Sequence, residues 1–187
     1  DTTIAPTTTA GECERMILIP SLMPGVGDDL ALAQQAIAPC KALILTPSAH
    51  RAKSWAQTAP ATRENVTEAI EEFKRAEAPE KLLLTGRYDG VDLPGDTCRL
   101  VVIDELPTGM GPLERFLWEY LGLTSMLRTA VASRVVQSFG RISRGMSDHG
   151  VAILTGKRLV GWLRVVRNRE ILPRFLQKQL LLAASMS

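Results

Sequence analysis

Cysteine, histidine and aromatic residues are all scarce in this chain of 187 residues: three cysteines, two histidines, and 5% Phe, Trp and Tyr together. Cys13, Cys40 and Cys98 are odd in number, far apart and without a C-x-x-C pair, which points away from a disulfide framework and from a zinc site. His50 and His149 stand too isolated to read as ligands and are expected at the surface. No apolar run reaches the roughly 18 residues of a membrane-spanning helix, and the start has no signal-peptide pattern, so an intracellular, cytoplasmic protein without a membrane partner is expected. There is no G-x-x-x-x-G-K-[ST] run, and with it goes the usual loop for cradling a nucleotide triphosphate. Internal repeats are absent as well.

What is present suits one domain large enough to bury a substantial core. Residues 1–15, opening Asp1-Thr2-Thr3-Ile4-Ala5-Pro6, show no apolar periodicity and are expected to be a linker. Residues 16–187 are expected to be the domain, excised from something longer. Charge is uneven: residues 141–187 hold nine Lys/Arg against two Asp/Glu, whereas residues 1–140 hold 13 against 18, giving the net +2. The carboxyl-terminal quarter therefore presents a positive field suited to phosphate or nucleic acid.

Apolar runs alternate with amphipathic stretches. Residues 16–19, 41–46, 81–85, 99–103 and 151–154 read as strands. Asp28 and Asp29 cap an expected helix over 30–37, Ser48 caps one from 49 to about 56, and Val66, Ala69, Ile70 and Phe73 form the apolar stripe of one over 63–77. Further helices are expected over 113–121, 126–143 and 168–182. Strands apolar throughout, each followed by a helix, predict a doubly wound α/β fold of three layers around a mainly parallel sheet.

Ligands of such sheets collect at the carboxyl ends of the strands. Three segments there carry chemistry. Thr46-Pro47-Ser48 joins a strand to a helix start, where hydroxyls and free amides meet. Gly86-Arg87-Tyr88-Asp89-Gly90-Val91-Asp92 crowds glycines and carboxylates after the next strand. Asp104-Glu105 ends another; without a phosphate loop in front of it, the pair is expected to act as caps or loop carboxylates rather than as a magnesium site. In the helix that follows, Gln137, Arg141 and Arg144 stand at i, i+4 and i+7 on one face, with Val135, Phe139 and Ile142 toward the other. Two guanidinium forks on an otherwise uncharged stripe suit a polyphosphate. Gly140 within that helix suggests a close backbone approach.

The pattern Q-x-x-G-R-x-x-R at 137–144 resembles motif VI of superfamily 2 helicases, G-R-Y-D-G-V-D-L-P-G at 86–95 resembles motif V of the XPD/DinG-like branch with Asp89 in place of its glutamate, and the turn at 46–48 resembles motif IV. Together they cover about residues 41–159. The resemblance implies the second RecA-like domain of such a helicase, the phosphate loop and any four-cysteine iron-sulfur insertion lying in a first domain. It implies that ATP and Mg2+ are held mainly by that first domain, with no metal held by this chain alone and the isolated chain inactive. Arg141 and Arg144 would serve as arginine fingers and Gln137 would orient the site. Gly86, Asp89, Gly90 and Asp92 would couple ATP to nucleic acid, and Thr46 and Ser48 would contact the phosphates of a single strand. The implied partners are single-stranded nucleic acid, DNA being favoured because the branch mostly works on DNA, and the upstream RecA-like domain. A Rossmann-type nucleotide- or methyl-donor-binding enzyme and a non-catalytic RecA-like interaction domain stand as alternatives. The first needs a Gly-rich turn after its first strand, where this chain has only Gly25-Val26-Gly27.

Overall fold

The computed structural model describes residues 14–62, 64–86, 93, 97–108, 116, 124–141 and 149–185. Among the described residues six strands make one sheet: β1 (Glu14–Leu18), β2 (Ala42–Thr46), β3 (Pro60–Ala61), β4 (Lys81–Thr85), β5 (Leu100–Asp104) and β6 (His149–Thr155). Their order is β1-β6-β5-β2-β4-β3, and every pair is parallel. Helices among the described residues are α1 (Asp29–Ile37), α2 (Ala49–Ala52), α3 (Val66–Arg75), α4 (Thr124–Phe139), α5 (Lys157–Arg164), α6 (Val166–Arg169) and α7 (Arg174–Ser185).

The central strands have no polar face because helices cover both sides. Leu43, Leu45, Leu82, Leu84, Val101, Ile103, Ala152 and Leu154 pack with the inward residues of α3, α4, α5 and α7. Their neighbours in sequence, Ile44, Leu83, Val102 and Ile153, point the other way and pack with Ala33 and Ile37 of α1 and with Ala52 and Trp55. This three-layer, wholly parallel arrangement is the doubly wound architecture expected. Asp28 caps α1 by accepting from the amides of Leu30 and Ala31, Ser48 caps α2, and the 66/69/70/73 stripe of α3 faces the core, all as the patterns predict. Cys98 is buried, and burial pushes its thiol pKa up, in keeping with a structural role.

Several boundaries differ from expectation. The helix after Ser48 lasts only one turn before a 3-10 turn, Lys53–Trp55, which swings the Trp55 ring into the core. Edge strand β3 and helix α5 were not foreseen from the pattern. Helix α5 lacks a local signal because Gly156 at its start offers no capping side chain; the cap arrives from Glu105 instead. The helix expected over 168–182 is two helices, α6 and α7, parted where Pro173 cannot continue one. Helix α4 starts at Thr124 and ends at Phe139, short of 143, and the helix expected over 113–121 lies outside the described residues apart from Phe116. No helix among the described residues is long and apolar enough to cross a membrane.

Candidate functional site: the carboxyl edge of the sheet

Parallel register brings the carboxyl ends of four adjacent strands to one level. Thr155 pairs with Asp104, Leu45 with Ile103 one residue earlier, and Thr46 with Thr85, so that β6, β5, β2 and β4 end in the row Thr155, Asp104, Thr46, Thr85. Each lies two residues beyond Ile153, Val102, Ile44 or Leu83, and by the twofold period of a strand all four face the layer of α1 and α2. The apolar sheet thus finishes in a polar rim.

Asp104 is the centre of that rim. It has no exposed surface and accepts four hydrogen bonds: from Arg51 Nε at 2.9 Å and Nη2 at 2.7 Å, from Trp55 Nε1 at 2.8 Å and from Thr155 Oγ1 at 2.8 Å. The bidentate fork is the charge-assisted geometry in which a guanidinium holds a carboxylate best. The same bond to Asp104 raises the Arg51 pKa above its ordinary value, so the guanidinium is charged at every accessible pH. Both Arg51 and Trp55 come from the α2 segment, which is thereby fastened to the end of β5.

Glu105, the next residue, faces the opposite layer. Its φ is +74°, a left-handed backbone unusual for a residue with a side chain. That conformation brings Oε1 to the amides of Arg158 at 3.0 Å and Leu159 at 3.3 Å, capping α5. The approach is close enough that a Cβ on Gly156 would lie 2.9 Å from Glu105 Cδ and Oε1. The amide of Gly156 in turn donates to Asp29 Oδ2 at 2.8 Å, at the start of α1. Glu105 is therefore a helix cap, as expected, through Oε1, whereas Asp104 is neither cap nor loop residue but a buried strand-end carboxylate held by Arg51, Trp55 and Thr155. Among the described residues no group of three or more His, Cys, Asp and Glu could hold a metal ion.

The other expected site residues fall into three sets. Thr46 is fully buried, and its hydroxyl donates to the Leu84 carbonyl at 3.4 Å beside Thr85 Oγ1, so it faces into the rim rather than outward. Ser48 is exposed and accepts from the Arg51 amide at 3.2 Å. Gly86 takes φ +63° and donates its amide to Thr46 O at 2.8 Å, tying the turn after β4 to the end of β2. Asp89, Gly90, Asp92 and Arg144 lie outside the described residues.

Gln137 and Arg141 sit at the end of α4 and do not share one exposed face. Gln137 is exposed, whereas Arg141 lies beyond the last helical residue, its amide reaching back to Ser138 O at 3.4 Å, and only 8% of it is exposed. The expectation of an outward guanidinium at 141 is corrected accordingly: the helix ends one turn early, and the chain tucks this side chain against the domain. Val135 and Phe139 are buried as the pattern predicts. Among the described residues, a Cβ on Gly140 would meet only the Gln137 and Val136 carbonyls of its own turn, at 3.5 and 3.7 Å. Gly140 marks the end of the helix.

At the opposite edge, a cavity of about 680 Å3 opens between the beginnings of β1, β5 and β6 and helix α7, lined by Arg15, Met16, Arg99, His149, Phe175 and Leu182 among others. It shares no residue with the polar rim.

Residues 35–178 match the family described as the helicase C-terminal domain. Over 111 residues the chain is 37% identical to a Methanocaldococcus jannaschii protein named a probable ATP-dependent helicase; the match covers 49% of this chain and 17% of that protein. Over 91 residues it is 31% identical to the ATP-dependent DNA helicase DinG of Photobacterium profundum, covering 44% of this chain and 13% of that protein. The chain thus spans only a small part of the length of these relatives.

Proposed function

The chain belongs to the helicase C-terminal domain family, and we propose that within a longer protein it is the second RecA-like motor domain of an XPD/DinG-like helicase, driven by ATP along single-stranded DNA. The observation that carries this reading is that the family match, over residues 35–178, takes in all three chemistry-bearing segments, 46–48, 86–92 and 137–144. DNA is preferred over RNA because one relative is named a DNA helicase.

On this reading the Mg2+ and most of the ATP would be held by a first domain facing this edge. Cleft closure would bring Gln137, Arg141 and Arg144 against the phosphates, where guanidinium forks stabilise the charge that develops as the γ-phosphoryl group leaves. Arg144 takes the main reach. Arg141, largely covered by its own domain, packs against it as well as contributing charge, and its loss is expected to lower stability together with turnover. Gly86, Asp89, Gly90 and Asp92 would pass the closure on to the strand held near Ser48, with Thr46 supporting that turn from inside through its bond to Leu84 O. Alternate opening and closing then becomes movement along the strand.

The test is a comparison of this chain with a longer protein that includes the first domain. Only the longer protein should hydrolyse ATP, and single-stranded DNA should accelerate it. Mg2+-dependent turnover by the isolated chain, abolished by Arg141→Ala, would contradict the assignment.

A further inference from the structure

We propose that Asp104 is a positioning residue for the nucleic-acid strand: through Arg51 it holds the Ser48 hydroxyl so that its proton is offered to a backbone phosphate. Resting on the strand-binding role of the Thr46–Ser48 turn proposed above, this adds a residue that lies outside all three motif-like segments and never touches the strand.

Three observations carry it. A buried ion pair is a poor way to gain stability, since apolar residues of similar volume commonly do as well or better, whereas it defines one geometry strictly. Asp104 commits all its bonds to such a geometry, two of them to Arg51 and one to Trp55. Arg51 is also the residue whose backbone amide donates to Ser48 Oγ at 3.2 Å. A hydroxyl has one proton to give and two lone pairs, so an oxygen already accepting from Arg51 keeps its proton for an acceptor elsewhere. Thirdly, the two hydroxyls flanking Pro47 are sorted: Thr46 is fully buried, its hydroxyl between Leu84 O and Thr85 Oγ1, while Ser48 is exposed. Of these two hydroxyls Ser48 is therefore the one presented outward, and among the described residues Arg51 joins it to Asp104. A bidentate guanidinium suits this task better than lysine, because a planar fork fixes direction where an ammonium fixes only distance.

The experiment uses the full-length protein and oligothymidylate as the strand, reading ATP turnover as a function of strand concentration. Asp104→Asn, Arg51→Lys and Ser48→Ala should each raise the half-stimulating oligothymidylate concentration by about tenfold, the value of one charge-assisted hydrogen bond. The strand-saturated rate should fall by less than that. Asp104→Asn combined with Ser48→Ala should bind little worse than Ser48→Ala alone, since both act through one hydroxyl. If Asp104→Asn does not fold, Arg51→Lys with and without Ser48→Ala gives the same cycle. Lowered melting with an unchanged half-stimulating concentration, or effects that multiply in the double variant, would overturn the proposal while leaving the motor reading intact. No stimulation of the unaltered protein by any strand would instead sink the motor reading, and the positioning role with it.

Discussion

Replacing Arg51 by alanine removes two of the four donors on Asp104 and leaves a fully buried carboxylate with Trp55 Nε1 and Thr155 Oγ1 alone. Orphaning a buried charge costs about 3–5 kcal/mol. Here two hydrogen bonds survive, and the Arg51 side chain is 27% exposed, so water can enter where it stood. The expected loss is therefore about 2–3 kcal/mol. For a domain of this size each kcal/mol shifts the melting temperature by about 2–4 °C, which predicts a drop of about 5–10 °C. Urea and thermal melts of the domain followed by tryptophan fluorescence read this directly, and Trp55→Phe, which removes one donor, should cost about half as much. The alkaline dependence follows from the raised Arg51 pKa. A group whose folded pKa is raised contributes in full below its unfolded pKa and loses that contribution only as pH climbs through the folded one. Both values lie beyond the working range, so the gap between parent and Arg51→Ala should stay constant from about pH 7 to about pH 10. A variant melting within about 1 °C of the parent would refute the assignment of Asp104 as a buried, charge-paired anchor.

Gly156→Ala should destabilise by about 2 kcal/mol or more, because φ is +93° and the new Cβ meets Glu105, which its own left-handed backbone and the α5 amides hold in place. Chemical denaturation measures it, and a neutral result would mean that Glu105 is free to yield. Gly140→Ala should leave stability unchanged or raise it by up to about 1 kcal/mol, since the site is at ordinary contact distance from its own turn and φ is not left-handed. A large loss in the same melts would reveal a close approach that the described residues do not contain.

The sheet was legible because burial on both faces writes itself as uninterrupted apolar runs: 42–45, 82–84 and 101–103 admit few other readings. Capped helices were legible too, since Asp28 and Ser48 announce α1 and α2 locally. Helix α5 was missed although Leu159, Val160 and Leu163 mark an apolar side, because its cap is Glu105, which no window along the chain could associate with it. Asp104 illustrates the same difficulty at the rim. As a terminal carboxylate after an apolar strand it was read as a cap or loop residue, while its partners Arg51, Trp55 and Thr155 lie 53, 49 and 51 positions away. Helical spacing also misled at Arg141: the i, i+4 relation to Gln137 holds only while the helix lasts, and α4 stops at Phe139. Residue types put polar groups at the carboxyl ends of the strands, but only the register of parallel strands could show which of them face inward.

The central claim is that this domain completes an ATP site held by another, and the most direct measurement is ATP turnover by the longer protein carrying Arg144→Ala at saturating strand. Turnover should fall by about 10³-fold or more, the scale of an arginine finger, while the affinity for ATP changes much less because the first domain holds most of the nucleotide. Lysine at 144 should restore only part of the rate. Turnover per folded molecule equal to that of the unaltered protein would contradict the claim.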